Sequence, residues 1–353
     1  RICHLFAWQA TARPSIGKGD AMTEPSGSCP AHLDPGAYLS DADAELRRCA
    51  AAHWWAEGLD QRGAATPWVL GWEANREVLA DRRLSPGSFA DDMVASGLSP
   101  ATSFQVAPLF SRHGSDHRHL RAILSTAFTP RKVERLRPVA RAVAERLTDA
   151  IEADGRACEF VQAFAEPLPP EVFATLFGLP PEDSHRLAGW ASEIALAFRF
   201  EMDPADVARV EAAAAEMRTY GRERIAASRT APGDDLVTRL LEAEVDGRGL
   251  DEDEVIAMIT GFVFAGAETT RRQLTAAVQV LAAHPDDWNR LAEEPALLPT
   301  AVDEILRYQP IVPGLSRRAE EPFEHEGLAV PEGGRLVLSF TTANRDPERF
   351  DEP

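Results

Sequence analysis

In the segment FVFAGAETTRRQL, Phe262 to Leu274, no charged residue occurs from Val255 until Glu268, which then arrives with Thr269 and Thr270. An unpartnered carboxylate or hydroxyl in an apolar setting costs about 1–3 kcal/mol by mutational measures, so the placement asks for a purpose. Gly266 in mid-helix is disfavoured by roughly 1 kcal/mol against alanine, and it lets something flat or bulky approach the backbone. A threonine here can hydrogen-bond the carbonyl four residues back and bend the helix. Together these features predict a groove in which Glu268 and Thr269 face a cavity able to hold water. The plainer alternative is a close helix–helix contact at Gly266, with Glu268 capped or exposed.

A second set is His113, Asp116, His117, His119 and Arg121. His117 and Arg121 share a helix face and can donate to an anion such as a carboxylate. His113, His117 and His119 beside Asp116 are also crowded like metal ligands, and imidazole suits zinc. A solvated basic helix start is the third option. Glu304 and Arg307 stand three apart on one face; as an exposed pair they contribute only about 0.2–0.5 kcal/mol. Asn344-Arg345-Asp346-Pro347 reads as a turn.

The elements that must position these residues are mostly helices. Periodicity predicts helices over 42–56, 117–127, 133–153, 170–177, 182–197, 205–228 and 236–244. Another follows TPWVLGW, which reads as a short strand. The Ser-, Gly- and Pro-rich stretch 85–114 reads as a long loop, of the kind that is usually functional or disordered. Asp251 and Glu254 form a capping box for a helix that ends near Ala283, before His284-Pro285. Two more helices are expected at 286–293 and 298–308, and LAVPEGGRLVLSF reads as a small β element. The fold class is mainly α with small β elements.

Composition narrows the function. The 353 residues carry a net charge of −19, which argues against nucleic acid, and no apolar run reaches the ~20 residues a membrane span needs. Cys3, Cys29, Cys49 and Cys158 are scattered, as in a reducing, cytoplasmic protein. Residues 1–21 read as an unstructured leader before a candidate start at Met22, and residues 22–353 as a single domain.

In order, these motifs resemble those of the cytochrome P-450 superfamily, the haem-thiolate monooxygenases, in its soluble bacterial branch. HRHLRAILSTAFTP resembles the haem-propionate helix, FAGAETT the oxygen-binding helix and EILR the Glu-x-x-Arg helix. RRAEEPFEHEGLAVPEGG and TANRDPERF follow as in that family. The resemblance implies a cytochrome P-450 fold, C-terminally incomplete, with haem b as cofactor. His117, Arg121 and Arg317 would hold the propionates, and Gly266 would let the helix lie against the ring. Glu268 and Thr269 would be the acid–alcohol pair that delivers protons for O–O cleavage. Glu304 and Arg307 would be a structural pair.

No metal ligand is assigned within the chain: the family's axial cysteine lies in a loop beyond the position of Pro353. The chain is therefore expected to be a fragment, inactive by itself. Arg271 and Arg272 stand where small or apolar residues are common, and are expected to reshape the helix end or face solvent. The implied partners are a ferredoxin with its reductase, O2 and a small apolar substrate. Phe89, Met93, Leu98, Phe104, Trp190, Phe198 and Phe200 are candidate pocket or core residues, and Arg112, Arg118 and Arg121 a candidate docking patch. Two other functions are weighed. One is a non-catalytic ligand binder or inactive fragment; the other is a metal-dependent hydrolase built on His113, His117 and His119.

Overall fold

Capping chemistry sets where many of the helices begin. Asp34, Asp41, Ser99, Asp203, Asp235 and Asp251 each accept a backbone N–H in the first turn of the helix they precede, satisfying donors that have no partner inside the helix. The computed structural model describes residues 31–59, 64–86, 89–110, 112, 114–129, 133–155, 157–199 and 202–351. The expected leader at 1–21 lies outside them. In chain order the elements begin α1 (Pro35–Ser40), α2 (Ala42–Ala50), β1 (Trp55–Leu59), β2 (Ala65–Val69), α3 (Trp72–Ala80) and β3 (Leu84–Ser85). Then come α4 (Phe89–Ala95), α5 (Pro100–Val106), α6 (Gly114–Ala127), α7 (Leu136–Asp154), α8 (Leu168–Leu176), α9 (Ser184–Ile194), α10 (Pro204–Thr230) and α11 (Leu236–Glu242). The last are α12 (Glu252–Ala283), α13 (Pro285–Glu293), α14 (Leu298–Tyr308), β4 (Gly314–Ala319), β5 (Phe323–His325), β6 (Leu328–Val330), β7 (Arg335–Ser339) and α15 (Phe340–Ala343). The fold is mainly α with small sheets, as expected.

The described residues form two compact units, those of 31–86 with 303–351, and those of 89–302. The first holds a five-stranded sheet in the order β1-β2-β7-β4-β3 and the hairpin β5-β6. β2 and β7 run parallel, and the other pairs are antiparallel. Val69, Leu336 and Leu338 are fully buried in this sheet beside Phe323 and Ala319. The second unit is helical around α12, which packs on α5, α8, α9 and α10. Its capping box at Asp251 and Glu254 is complete, and Val255 to Thr260 are all buried.

Two expectations are corrected. The helix expected over 42–56 stops at Ala50, and Trp55–Leu59 is a strand paired with β2. The alanines favour helix, but Trp55 favours strand, and the pairing with β2 decides. The loop expected over 85–114 contains α4 and α5. Ser99 caps α5 and Pro100 starts it, a helix-start signature obscured by its Ser- and Pro-rich surroundings.

Glu45 shows how a buried acid is accommodated in the first unit. Its carboxylate accepts Arg48 Nε at 2.7 Å, Arg48 Nη2 at 2.6 Å and the Asp34 N–H at 2.8 Å. The Arg48 guanidinium brings the Glu45 carboxyl down from the ordinary 4.5 to about 2. A carboxyl whose folded pKa lies below its unfolded value stabilises the fold above the unfolded value, and that contribution is lost as pH falls through the folded one. Acid denaturation should therefore lose this contribution between pH 4.5 and about 2. Glu45→Gln should flatten that limb of the stability–pH curve, measured by urea unfolding at each pH.

Candidate active site

The turn of α12 that carries the acid and the alcohol is polar on two faces. Glu268 is only 7% exposed. Arg271 donates to it through Nε at 3.1 Å and Nη2 at 2.6 Å, and Arg272 donates through Nε. Burial alone would push the Glu268 carboxyl up; the two guanidinia outweigh it and leave it below the ordinary carboxylate range. The arginines thus pair with Glu268 and are about three-quarters buried. The expectation that they only reshape the helix end or face solvent is corrected. The signal was present in the spacing, since i,i+3 and i,i+4 neighbours share a helix face.

Thr269 is half-buried, and its hydroxyl donates to the Ala265 carbonyl at 2.5 Å, the back-bond the sequence predicts. Ala265 itself is exposed on the same face. Beside it in sequence, Phe264 stacks on Phe198 at 4.1 Å, and Phe198 lies 5.1 Å from Phe89.

Gly266 does not face open space. A Cβ there would lie 1.8 Å from Phe173 Cζ, so the Phe173 ring of α8 fills the position. The expectation that Gly266 makes room for a flat cofactor is corrected: the glycine admits a phenylalanine ring, the helix–helix contact weighed as the alternative. Any close approach to this turn is left to the face of Ala265 and Thr269.

On α6, His117 is half-buried and Arg121 exposed; among the described residues Arg121 has no ion-pair partner. Among those residues no three His, Cys, Asp or Glu could hold a metal ion, and His113 lies outside them. Of the candidate pocket residues, Met93, Leu98 and Trp190 belong to the core of the second unit. Phe89 and Phe198 are partly buried beside it. Phe104 lies beneath the Arg112 guanidinium at 4.4 Å, and Phe200 lies outside the described residues.

In the first unit, Arg307 binds Glu304 through Nε at 2.7 Å and Nη2 at 2.5 Å, and reaches the Asn344 carbonyl at 2.6 Å. Its guanidinium lies 4.7 Å over Phe350 and holds the Glu304 carboxyl below the ordinary range. Asp346 accepts the Trp72 N–H at 2.8 Å, so the Asn-Arg-Asp-Pro turn ties α14 and α3 together. Arg317 on β4 is half-buried, and among the described residues its guanidinium bonds only the neighbouring Ser316 carbonyl, at 3.0 Å. Desolvation pulls it below the usual arginine range. A partly desolvated cation with no acid partner among the described residues is what a carboxylate-bearing cofactor would satisfy, so Arg317 suits an acid tail of haem.

The profile of the family described as Cytochrome P450 matches residues 206–353. The chain is 34% identical over 284 residues to luteothin monooxygenase of Streptomyces thioluteus, covering 80% of this chain and 69% of that protein. It is 36% identical over 240 residues to erythromycin C-12 hydroxylase of Saccharopolyspora erythraea, covering 67% of this chain and 59% of that one. The chain therefore spans less than two thirds of the hydroxylase. Among solved structures, the crystal structure of CalO2 matches with a TM-score of 0.80 and 26% identity, covering 92% of this chain and 80% of that one.

Proposed function

The chain belongs to the cytochrome P450 family, whose matched members are bacterial haem monooxygenases, and on that premise we propose that it serves to insert one oxygen atom from O2 into an apolar small molecule. The cofactor in this proposal is haem b, which when bound supplies the activation of dioxygen. His117 and Arg121 of the second unit serve as charge-assisted donors to its acid tails. Thr269 hands on a proton at the exposed face of α12, and Glu268 brings protons to it from solvent. Phe264, Phe198 and Phe89 present an apolar wall and keep bulk water away.

The observation that carries this reading is the nearly buried Glu268 next to Thr269 on a helix face left exposed at Ala265. A mere ligand binder gains little from that placement. The relatives, named as monooxygenases and hydroxylases, favour this reading over the hydrolase built on the histidines. The test is a carbon-monoxide difference spectrum of the reduced, full-length gene product. A thiolate-ligated haem band is expected, and a protein that carries no haem overturns the proposal.

Electrons come, in this reading, from a ferredoxin and its reductase. No described helix is long and apolar enough to cross a membrane, and we place the protein in the cytoplasm with these partners. Redox partners of this kind are acidic, while this chain is itself at −19, so the docking surface must be a local basic one. Arg118 and Arg121 are exposed and Arg112 is half-buried near them in sequence. Reversing Arg112 and Arg118 to glutamate should slow reduction by ferredoxin about tenfold at low salt. Stopped-flow reduction checks this, and an unchanged rate removes the patch.

A further inference from the structure

We propose that Arg271 and Arg272 are positioning residues that clamp the Glu268 carboxylate to its own helix, and that proton delivery to Thr269 waits on its release. The second half rests on the proton-relay reading above; the first stands on geometry alone. Both carboxylate oxygens are taken, Oε2 by Arg271 Nε and Oε1 by the terminal nitrogen of Arg271 and by Arg272 Nε. Among the described residues no other cation lies within 4.0 Å of Glu268. The Thr269 hydroxyl is committed as well, to the Ala265 carbonyl. Residues adjacent in a helix do not face each other, so acid and alcohol occupy different faces and share no hydrogen bond.

A carboxylate held by charge-assisted hydrogen bonds on both oxygens takes up a proton poorly. Protonation and release are therefore one event. A proton from water adds to a Glu268 oxygen and cancels its charge, which removes most of its attraction to the two guanidinia. The neutral carboxyl is then free to rotate and donate that same proton onward, returning to the clamp as the anion. The sequence places this device in ETTRR, where the acid and both arginines lie within five residues.

The test is an infrared titration of the whole 353-residue chain without haem, with the Glu268 carboxyl band isolated by subtracting Glu268→Gln. Arg271→Gln and Arg272→Gln should each move the midpoint of that band to higher pH, and Arg272→Lys should restore much of the native value. Thermal melts verify folding, and if one glutamine variant does not fold, the other and the lysine variant still decide. Midpoints equal to the wild type in the folded variants overturn the clamp. In the haem-loaded full-length protein, the solvent deuterium isotope effect on product formation should shrink in Arg271→Gln. A raised midpoint with an unchanged isotope effect keeps the clamp and overturns its role in proton delivery.

Discussion

Replacing Gly266 by valine is expected to destabilise the helical unit by about 2–3 kcal/mol, the upper part of the range for an overpacked core. An alanine at a helical glycine normally gains roughly 1 kcal/mol. Here the new Cβ would lie 1.8 Å from Phe173 Cζ, a distance at which the ring must move. Phe173 packs beside Phe177, ring centroids 6.2 Å apart, at the edge of the core, so moving its ring disturbs that contact. The check is a change of sign. Phe173→Ala alone should cost about 3 kcal/mol, and in that background Gly266→Ala should become stabilising, since only the helix preference remains. Urea unfolding of the four proteins closes the cycle. If Gly266→Ala still destabilises with the ring removed, the glycine is kept for something other than Phe173.

That cycle also marks where sequence reasoning ran out. An apolar run before a glycine states that the glycine is needed, but not what comes close; the partner is 93 residues away, on α8. Local chemistry was legible. The capping box at Asp251 and Glu254, the helix it starts and the Thr269 back-bond are all set by residues three or four apart, and short-range rules cover such spacings. The Glu268 clamp obeys the same rules, since Arg271 and Arg272 lie three and four residues from their nearest acid, although the family resemblance points to small or apolar residues there. The strand at Trp55–Leu59 depends on β2 for its pairing, and nothing within its five residues announces that. The role of the Asn-Arg-Asp-Pro turn was hidden for the same reason. Its ties run to Trp72, Arg307 and Tyr308, and only the fold brings those partners together.

Arg307→Ala should destabilise the sheet unit far more than Glu304→Gln, although the two residues form one pair. The side chain of Glu304 is 56% exposed and that of Arg307 only 13%. Losing the exposed partner removes an ion pair of a kind that contributes about 0–1 kcal/mol in water. Losing Arg307 also strips the Asn344 carbonyl of its donor at 2.6 Å and uncovers Phe350. None of the residues of α14 is buried, and Leu298, Val302 and Leu306 are exposed. The part of this helix that belongs to the sheet unit, 303–308, therefore has little apolar burial. Its ties there are polar: Arg307 to Asn344, and Arg345 to the Tyr308 carbonyl at 2.7 Å with its guanidinium 4.5 Å over the Tyr308 ring. An unsatisfied acceptor, a lost charge-assisted bond and a lost cation–π contact together amount to about 3 kcal/mol. Arg307→Lys should recover little of it, because an ammonium cannot grip Glu304 with two nitrogens while a third reaches Asn344. Thermal denaturation of the three variants separates the cases. Equal losses for Glu304→Gln and Arg307→Ala would mean that the pair itself, and not the reach of Arg307 to the turn, secures this helix.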